Sequence, residues 1–531
     1  MKTKIIKFVL PIFLLALSGI GFSQSEEKPN VVLIMLDDLN DFTGFLGGHP
    51  QVKTPNMDKL AKQGTVFTNA HSNAPICAPS RSSMLTGIYP HVSRNFWFFK
   101  WTKNEVLKDV KTLPNYMREN GYNSYGTGKL MHDRVVSEWT EYGVKNDFGP
   151  YPFNGKGYKN GKEFTPHPLM PIEYATNRND GLFMSLDKVP NVPADANSPG
   201  YNGWYNLAER KHFKYNSEDD RDLMNDELHA QWAVNKIESL EKNNTDKPFF
   251  LAVGFVRPHT PLVAPKKYFD MYPVDKIQLP KIKKNDTDDT YYRETFTWDV
   301  PWGKHYQNLE KAYKGDINYG LRKYLQAYLA CITYADEQVG KVLDALEKSK
   351  FSKNTIIILA SDHGYNHGEK GFLYKNNLWE ETTRVPLVIK APNMKKSHGK
   401  TIDNPVSLID IFPTITDFCD INVSNIKGKN GKPLSGFSLK PFLEKPKSSK
   451  WNGPDVALSV VRGFFKNSEI DKQNYSVRSK RYRYILYTSG KEELYDHKKD
   501  PHEWTNLAKN KKYSKIKKDM RSKMMDLLNQ S

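Results

Sequence analysis

The chain predicts an α/β fold: a large mixed, mostly parallel sheet flanked by helices, with a smaller C-terminal α+β domain. Three observations predict it. Apolar runs at 31–36, 249–256 and 355–360, the first and last rich in β-branched residues, have the length of strands buried on both faces, as parallel strands are. They alternate with helical patterns, which is the rhythm of a sheet covered by helices on both sides. After Lys440 the rhythm changes to short, closely spaced strand patterns and one terminal helix.

Taken in order, the first residues read as a secretory signal. Lys2, Lys4 and Lys7 precede an apolar run from Phe8 to Leu17, and small residues surround Ser18 to Ser23. Pro11 and the shortness of the run argue against a membrane anchor, since a span needs about 20 apolar residues. No cysteine near Ser23 and Gln24 could take a lipid. The expected organisation is a cleaved signal at 1–23, a catalytic α/β domain at 24–440 and an α+β unit at 441–531, in a periplasmic or secreted protein without stable membrane insertion.

The strand at 31–36 ends in Asp37-Asp38, which places two carboxylates at the C-terminal edge of the sheet, where α/β folds bind ligands. Helices are expected at 55–62 and from just after Cys77, with Pro79 and Ser80 suited to a first turn whose N–H groups point at the site. The alternation continues with a helix near 113–120, a strand around 122–125, a helix at 221–241 and the strand at 249–256. A helix at 321–348 then leads to the strand at 355–360, which runs into Ser361-Asp362-His363-Gly364, and to another at 385–390. Two stretches, 142–220 and 272–318, lack periodicity and are rich in Gly, Pro, Asn and aromatics; they read as long ordered surface loops. Strands at 456–461, 475–478 and 482–487 and a helix at 513–528 complete the chain.

The formal charge of +18, or +15 without the signal lysines, suits an anionic ligand. No nucleic-acid-binding motif accompanies it, and clusters such as Lys509 to Lys518 read as solvated charge. Three cysteines leave at least one unpaired, and Cys77 is the odd one out, since Cys331 and Cys419 fall in apolar helical patterns that suit buried free thiols. Asp37, Asp38 and Asp362 converging on one sheet edge would repel each other without a cation, which points to a divalent metal. Calcium suits an exported protein; His363, a softer ligand, leaves magnesium, manganese or indirect contact open.

Cys77-Ala78-Pro79-Ser80-Arg81 resembles the C-x-P-S-R signature with which sulfatases convert a cysteine to formylglycine. An ordered series of further motifs carries the same resemblance: Leu36-Asp37-Asp38-Leu39, Thr54-Pro55-Asn56-Met57-Asp58, Leu85-Thr86-Gly87, Gly128-Lys129-Leu130-Met131-His132, Arg257-Pro258-His259-Thr260-Pro261, Ser361-Asp362-His363-Gly364, Gly368-Glu369-Lys370-Gly371, Lys375 and Glu493-Leu494-Tyr495-Asp496. From Pro29 to about Leu507 the chain resembles the sulfatase family of the alkaline-phosphatase superfamily, most closely its iduronate-2-sulfatase-like branch. The resemblance implies an alkaline-phosphatase-like fold and one calcium held by Asp37, Asp38, Asp362, His363 and the modified Cys77.

It further implies that a formylglycine-generating maturation enzyme oxidises Cys77, that one hydroxyl of the hydrate attacks sulfur, and that the second, deprotonated by His132, lets sulfate leave. His259 is the candidate acid for the leaving oxygen, and Arg81, Lys129 and Lys375 hold the sulfate. The expected substrate is a sulfated carbohydrate. The alternatives are a phosphodiester or phosphonate ester hydrolase of the same superfamily and a glycan-binding homologue without turnover. Trp97, Trp101, Trp204, Trp298 and Trp302 are candidate sugar-stacking residues, each outweighed by an ordinary packing role.

Overall fold

A computed structural model describes residues 27–530 apart from 146–147, 154, 156–181, 197–198, 207–208, 245–246, 296–300, 447–449 and 464–467. The expected signal segment lies outside the described residues.

Eight strands form the main sheet: β1 Asn30–Leu36, β2 Thr65–Phe67, β3 Asn123–Gly128, β4 Glu141–Tyr142, β5 Phe249–Gly254, β6 Thr355–Ser361, β7 Leu387–Lys390 and β8 Lys400–Ile402. Their spatial order is β8-β2-β7-β6-β1-β5-β3-β4. β1 lies at the centre, parallel to both β5 and β6. Only β7 runs against the rest, antiparallel to β6 and β2, so the sheet is mixed but mostly parallel.

Alternate residues of β1 feed two cores. Val32, Ile34 and Leu36 pack with α1 Pro55–Gln63, α4 Asn225–Lys242 and α5 Ile317–Lys348. Val31, Leu33 and Met35 pack with α2 Cys77–Thr86, α3 Leu113–Glu119 and α6 Ile411–Phe418. The period of two along a pleated strand turns successive side chains to opposite faces, and a continuous apolar run therefore needs helices on both.

A second, four-stranded antiparallel sheet contains β9 Val456–Val461, β10 Asn474–Ser479, β11 Tyr482–Leu486 and β12 Glu492–Asp496. α7, Ser514–Leu528, covers it through Met520, Met524 and Leu527. The sheet is tied to the segment between β2 and α2 at residues 72–73: Val460 N donates to Asn73 O at 2.9 Å and Ser459 Oγ to Ser72 O at 2.6 Å.

Several expected boundaries shift. The helix expected from Arg221 begins at Asn225, because the Glu227 carboxylate accepts from Met224 N at 2.8 Å and also pairs with Arg221, ending the preceding loop there. The strand expected at 122–125 lies at 123–128, paired along its length with β5. The stretch 142–220 contains a small sheet of Tyr151–Pro152, Trp204–Asn206 and Lys211–Phe213, while 272–318 contains the helix His305–Ala312. β12 was not expected as a strand. All three cysteines are free and buried.

Candidate active site

The sheet register builds the site. Leu36 is paired with Ser361, so the chain leaving β1 at Asp37-Asp38 and the chain leaving β6 at Asp362-His363 emerge side by side. Asp38 adopts φ 64, a strained left-handed conformation for a side-chain-bearing residue and one that recurs at functional sites. Ser361 Oγ ties the two ends together, accepting from Leu39 N at 3.0 Å and donating to His363 O at 3.0 Å.

α2 starts at Cys77 and is buried along its whole length, which brings its first turn against these carboxylates. Cys77 Sγ lies 3.5 Å from Asp37 Oδ1, 3.3 Å from His363 Nε2 and 3.2 Å from Lys375 Nζ. Arg81, one turn along, donates from Nε to Asp362 Oδ2 at 2.8 Å, and its Nη2 is 3.6 Å from Asp37 Oδ2. Ser80 Oγ donates to Asp362 O at 2.6 Å. Lys375 Nζ contacts Asp38 Oδ1 at 2.6 Å, and Lys129 Nζ pairs with Asp37 Oδ2.

Lys129 is delivered by Gly128, at φ 78 at the end of β3. A Cβ there would stand 2.1 Å from Gly254 O, so only glycine allows β3 to close on β5 at this point. His259, in the loop after β5, engages Thr260 O through Nδ1 at 2.5 Å, leaving Nε2 facing Asp38 Oδ2 at 3.8 Å. His363 likewise engages Gly364 O through Nδ1 at 3.1 Å, which turns Nε2 toward Cys77 and to 3.6 Å from Asp362 Oδ2.

Burial sets the electrostatics. Asp37 is pushed upward by desolvation, but Lys129, His259, Arg81 and Lys375 outweigh it and hold the carboxyl well below its usual range. Asp38 is raised to about 8 by burial and by adjacent Asp37, despite Lys375 and His363. Burial raises the Cys77 thiol and lowers His363. His259 falls well below the ordinary imidazole value through burial and then Lys375.

The donors fit a divalent cation. Asp37, Cys77, Asp362 and His363 bring ligand atoms within 4.8 Å of one another, as do Asp37, Asp38, Cys77 and His259. Asp38 Oδ2 is buried without a hydrogen-bond donor. Two adjacent buried carboxylates split their affinities for a proton, and a cation between them removes the reason for the split.

Thus Asp37, Asp38, Cys77, Arg81, Lys129, His259, Asp362, His363 and Lys375 form one buried cluster. His132 stands at its mouth: the residue is exposed and its ring packs on Phe98 at 4.8 Å. The protein crowding the ring, together with Lys129, lowers its pKa to about 4.

A sulfatase family model matches residues 29–421, and one described as the C-terminal part of N-sulphoglucosamine sulphohydrolase matches 368–530. The chain belongs to the sulfatase family. A sulfatase of Formosa agariphila is 35% identical over 507 residues, covering 93% of this chain and 86% of that protein. Iduronate 2-sulfatase of Mus musculus is 29% identical over 420 residues, covering 76% of this chain and 66% of that protein. Among solved structures, one in complex with its substrate D-glucosamine-2-N,6-O-disulfate superposes with a TM-score of 0.64 at 21% identity, covering 95% of this chain and 99% of that chain. The enzyme is a sulfuric ester hydrolase.

The structure of this sulfatase adds residues that sequence reasoning missed. Phe148 stands between two site residues, with Lys129 Nζ 4.5 Å from its ring centroid and His259 edge-on at 5.0 Å. Arg257 braces the His259 loop by donating to His259 O at 3.1 Å and Val263 O at 2.8 Å, and Asp226 accepts from the backbone of Val256 and Arg257. Tyr328 donates to Asp38 O at 2.6 Å from the middle of α5. Arg257 lay within a quoted motif, a signal that could have found it; the others carry none. Of the candidate tryptophans, Trp101 and Trp204 are buried and commit their indole N–H to Asp133 O and Leu186 O, both at 2.9 Å. Trp298 and the side chain of Trp302 lie outside the described residues.

Proposed function

We propose that this enzyme is an exported sulfatase that hydrolyses sulfate esters of a sulfated carbohydrate through a formylglycine made from Cys77 and one bound calcium. The observation that carries this reading is the position of Cys77 at the first turn of α2, within 3.5 Å of Asp37, His363 and Lys375. Asp37, Asp38, Asp362 and His363 would hold the calcium, which polarises the sulfate and activates the nucleophile. Oxidised by a maturation enzyme, Cys77 supplies the attacking hydroxyl as its hydrate.

The remaining work falls to the chain's own side chains. Arg81, expected to hold the sulfate, is fully buried and donates to Asp362, which assigns it instead to orienting the carboxylates that would hold the metal. Lys129 and Lys375, facing Asp37 and Asp38, supply positive charge to the sulfate oxygens in a site closed to bulk water, where such charge acts strongly. His259, with Nδ1 engaged by Thr260 O, offers Nε2 as the atom that protonates the leaving sugar oxygen. His132, neutral because its pKa is held near 4, accepts the proton whose removal releases sulfate.

The carbohydrate reading draws on the iduronate 2-sulfatase relative and on expected export; the pattern of residues 2–23 supports export, with the catalytic unit proposed at 24–440 and the smaller unit at 441–531. The test is sulfate release from a panel of sulfated oligosaccharides by protein whose Cys77 peptide carries formylglycine by mass spectrometry, beside a Cys77→Ala variant. Release by the modified protein and loss of at least a thousandfold in the variant is the expected outcome. Near-normal release by Cys77→Ala would sink the mechanism, and turnover confined to phosphonate or phosphodiester substrates would reassign the enzyme.

A further inference from the structure

Five residues, Asn95-Phe96-Trp97-Phe98-Phe99, run past the mouth of the site, and Phe98 and Phe99 are each 39% exposed. Adjacent exposed aromatics are costly to leave in water, and such patches mark ligand contacts. This strip is held at both ends. Asn95 Nδ2 donates to Ser82 Oγ of the nucleophile-bearing helix at 3.1 Å, Phe96 is buried, and Trp101 Nε1 donates to Asp133 O, beside His132. Within it, Trp97 stands edge-on to Phe98 at 5.1 Å, and Phe98 lies against the His132 ring at 4.8 Å. The Arg462 guanidinium, itself 5% exposed, lies 5.8 Å from the Trp97 ring and 5.1 Å from that of Phe99.

We propose that Phe98, backed by Trp97, Phe99 and Arg462, is the ledge on which the sugar ring bearing the sulfate stacks, and that it selects an anionic pyranoside. The inference rests on the carbohydrate reading above. His132 is the exposed member of the candidate site, and Phe98, itself exposed, packs on its ring, which puts Phe98 where a sugar attached to a sulfate at Cys77 would emerge. The C–H face of a pyranose covers an aromatic ring while its hydroxyls stay at the wet rim, a division of labour that aromatic side chains serve well. The positive charge behind the rings complements a carboxylate or a second sulfate on that sugar.

Steady-state kinetics on a sulfated oligosaccharide test the proposal, comparing Phe98→Ala and Phe98→Trp with Met525→Ala, another exposed apolar side chain, as control. Phe98→Ala should raise KM about tenfold and weaken inhibition by the desulfated product by a similar factor, the size of one lost aromatic stacking contact. Phe98→Trp should restore both, and Met525→Ala should change neither. An unchanged KM and product inhibition in Phe98→Ala overturns the ledge while leaving the carbohydrate reading intact. A fall in kcat at constant KM also overturns it, since Phe98 would then act through His132. If the unsubstituted enzyme turns over no sulfated sugar, both readings fail together.

Discussion

His259 carries the most exposed claim at the scale of single residues. Its Nδ1 is committed to Thr260 O, its Nε2 faces the carboxylates, and burial with Lys375 nearby keeps the ring neutral in the free enzyme. With Nδ1 engaged by Thr260 O, Nε2 can give a proton only from the imidazolium, so the ring takes one up from solvent when the negative charge of the bound sulfate ester favours the charged form. Its contribution must therefore depend on the leaving group. His259→Ala should lower kcat by roughly 10²–10⁴-fold on a sugar sulfate, whose alkoxide departs poorly, and far less on a nitroaryl sulfate, whose phenolate needs no proton. Equal losses on both substrates would remove the acid role. His259 was legible in the sequence because a short motif names it. Phe148, which presses on the same ring, was not, because it comes from an aperiodic loop and its neighbours are set by how that loop folds back.

Among the elements, the central strands were the easiest to read, since β1, β5 and β6 are buried on both faces and need unbroken apolar sequence. The helix His305–Ala312 was not, because its eight residues bury only His305 and Leu309 and so write no apolar stripe. A shorter helix, Pro90–Ser93, carries a testable charge. His91 within it is 1% exposed, against Tyr89 at 5.1 Å, and burial lowers its pKa to about 4. The folded state holds this imidazole neutral, whereas the unfolded chain protonates it below about 6.5. Its contribution is therefore complete above the unfolded value and is lost as pH falls toward 4. Between pH 7 and pH 5 this one group should cost the native state about 2 kcal/mol. Denaturant titrations at both pH values should show a correspondingly shallower loss in His91→Phe, and an unchanged slope would mean that His91 does not titrate with unfolding.

For the molecule as a whole, two buried charge systems matter. The first joins the antiparallel sheet to the catalytic core. Arg483 of β11, fully buried, binds Glu503 Oε1 through Nε at 2.6 Å, Leu378 O at 2.9 Å and the Glu380 carboxylate, while Arg478 and His497 complete the network. Glu380, His497 and Glu503 have the spacing of a metal site, but the guanidinium already fills it. Arg483→Ala removes the buried cation that Glu503 and Glu380 share, leaving them His497 and Arg478, and should destabilise by roughly 3 kcal/mol in urea unfolding; a loss below about 1 kcal/mol would show that the remaining partners and water compensate. The second system is the carboxylate cluster proposed to hold calcium. Calcium at a hundred times its dissociation constant should stabilise the native state by about 2.7 kcal/mol, raising Tm, and a chelator should reverse the gain. Asp38→Asn should abolish the shift; its persistence would put the ion elsewhere. By itself the sequence determined the fold class and the family and named the nine residues that the structure gathers into one buried cluster, because strand burial and short motifs are properties of neighbouring residues. Only the tertiary structure decided that β7 runs against the sheet, that Arg483 occupies the second acidic cluster, and that Phe98, rather than Trp101 or Trp204, stands exposed beside His132. Those outcomes depend on pairings between residues tens to hundreds of positions apart, and which aromatics stay exposed is known only once the packing is complete.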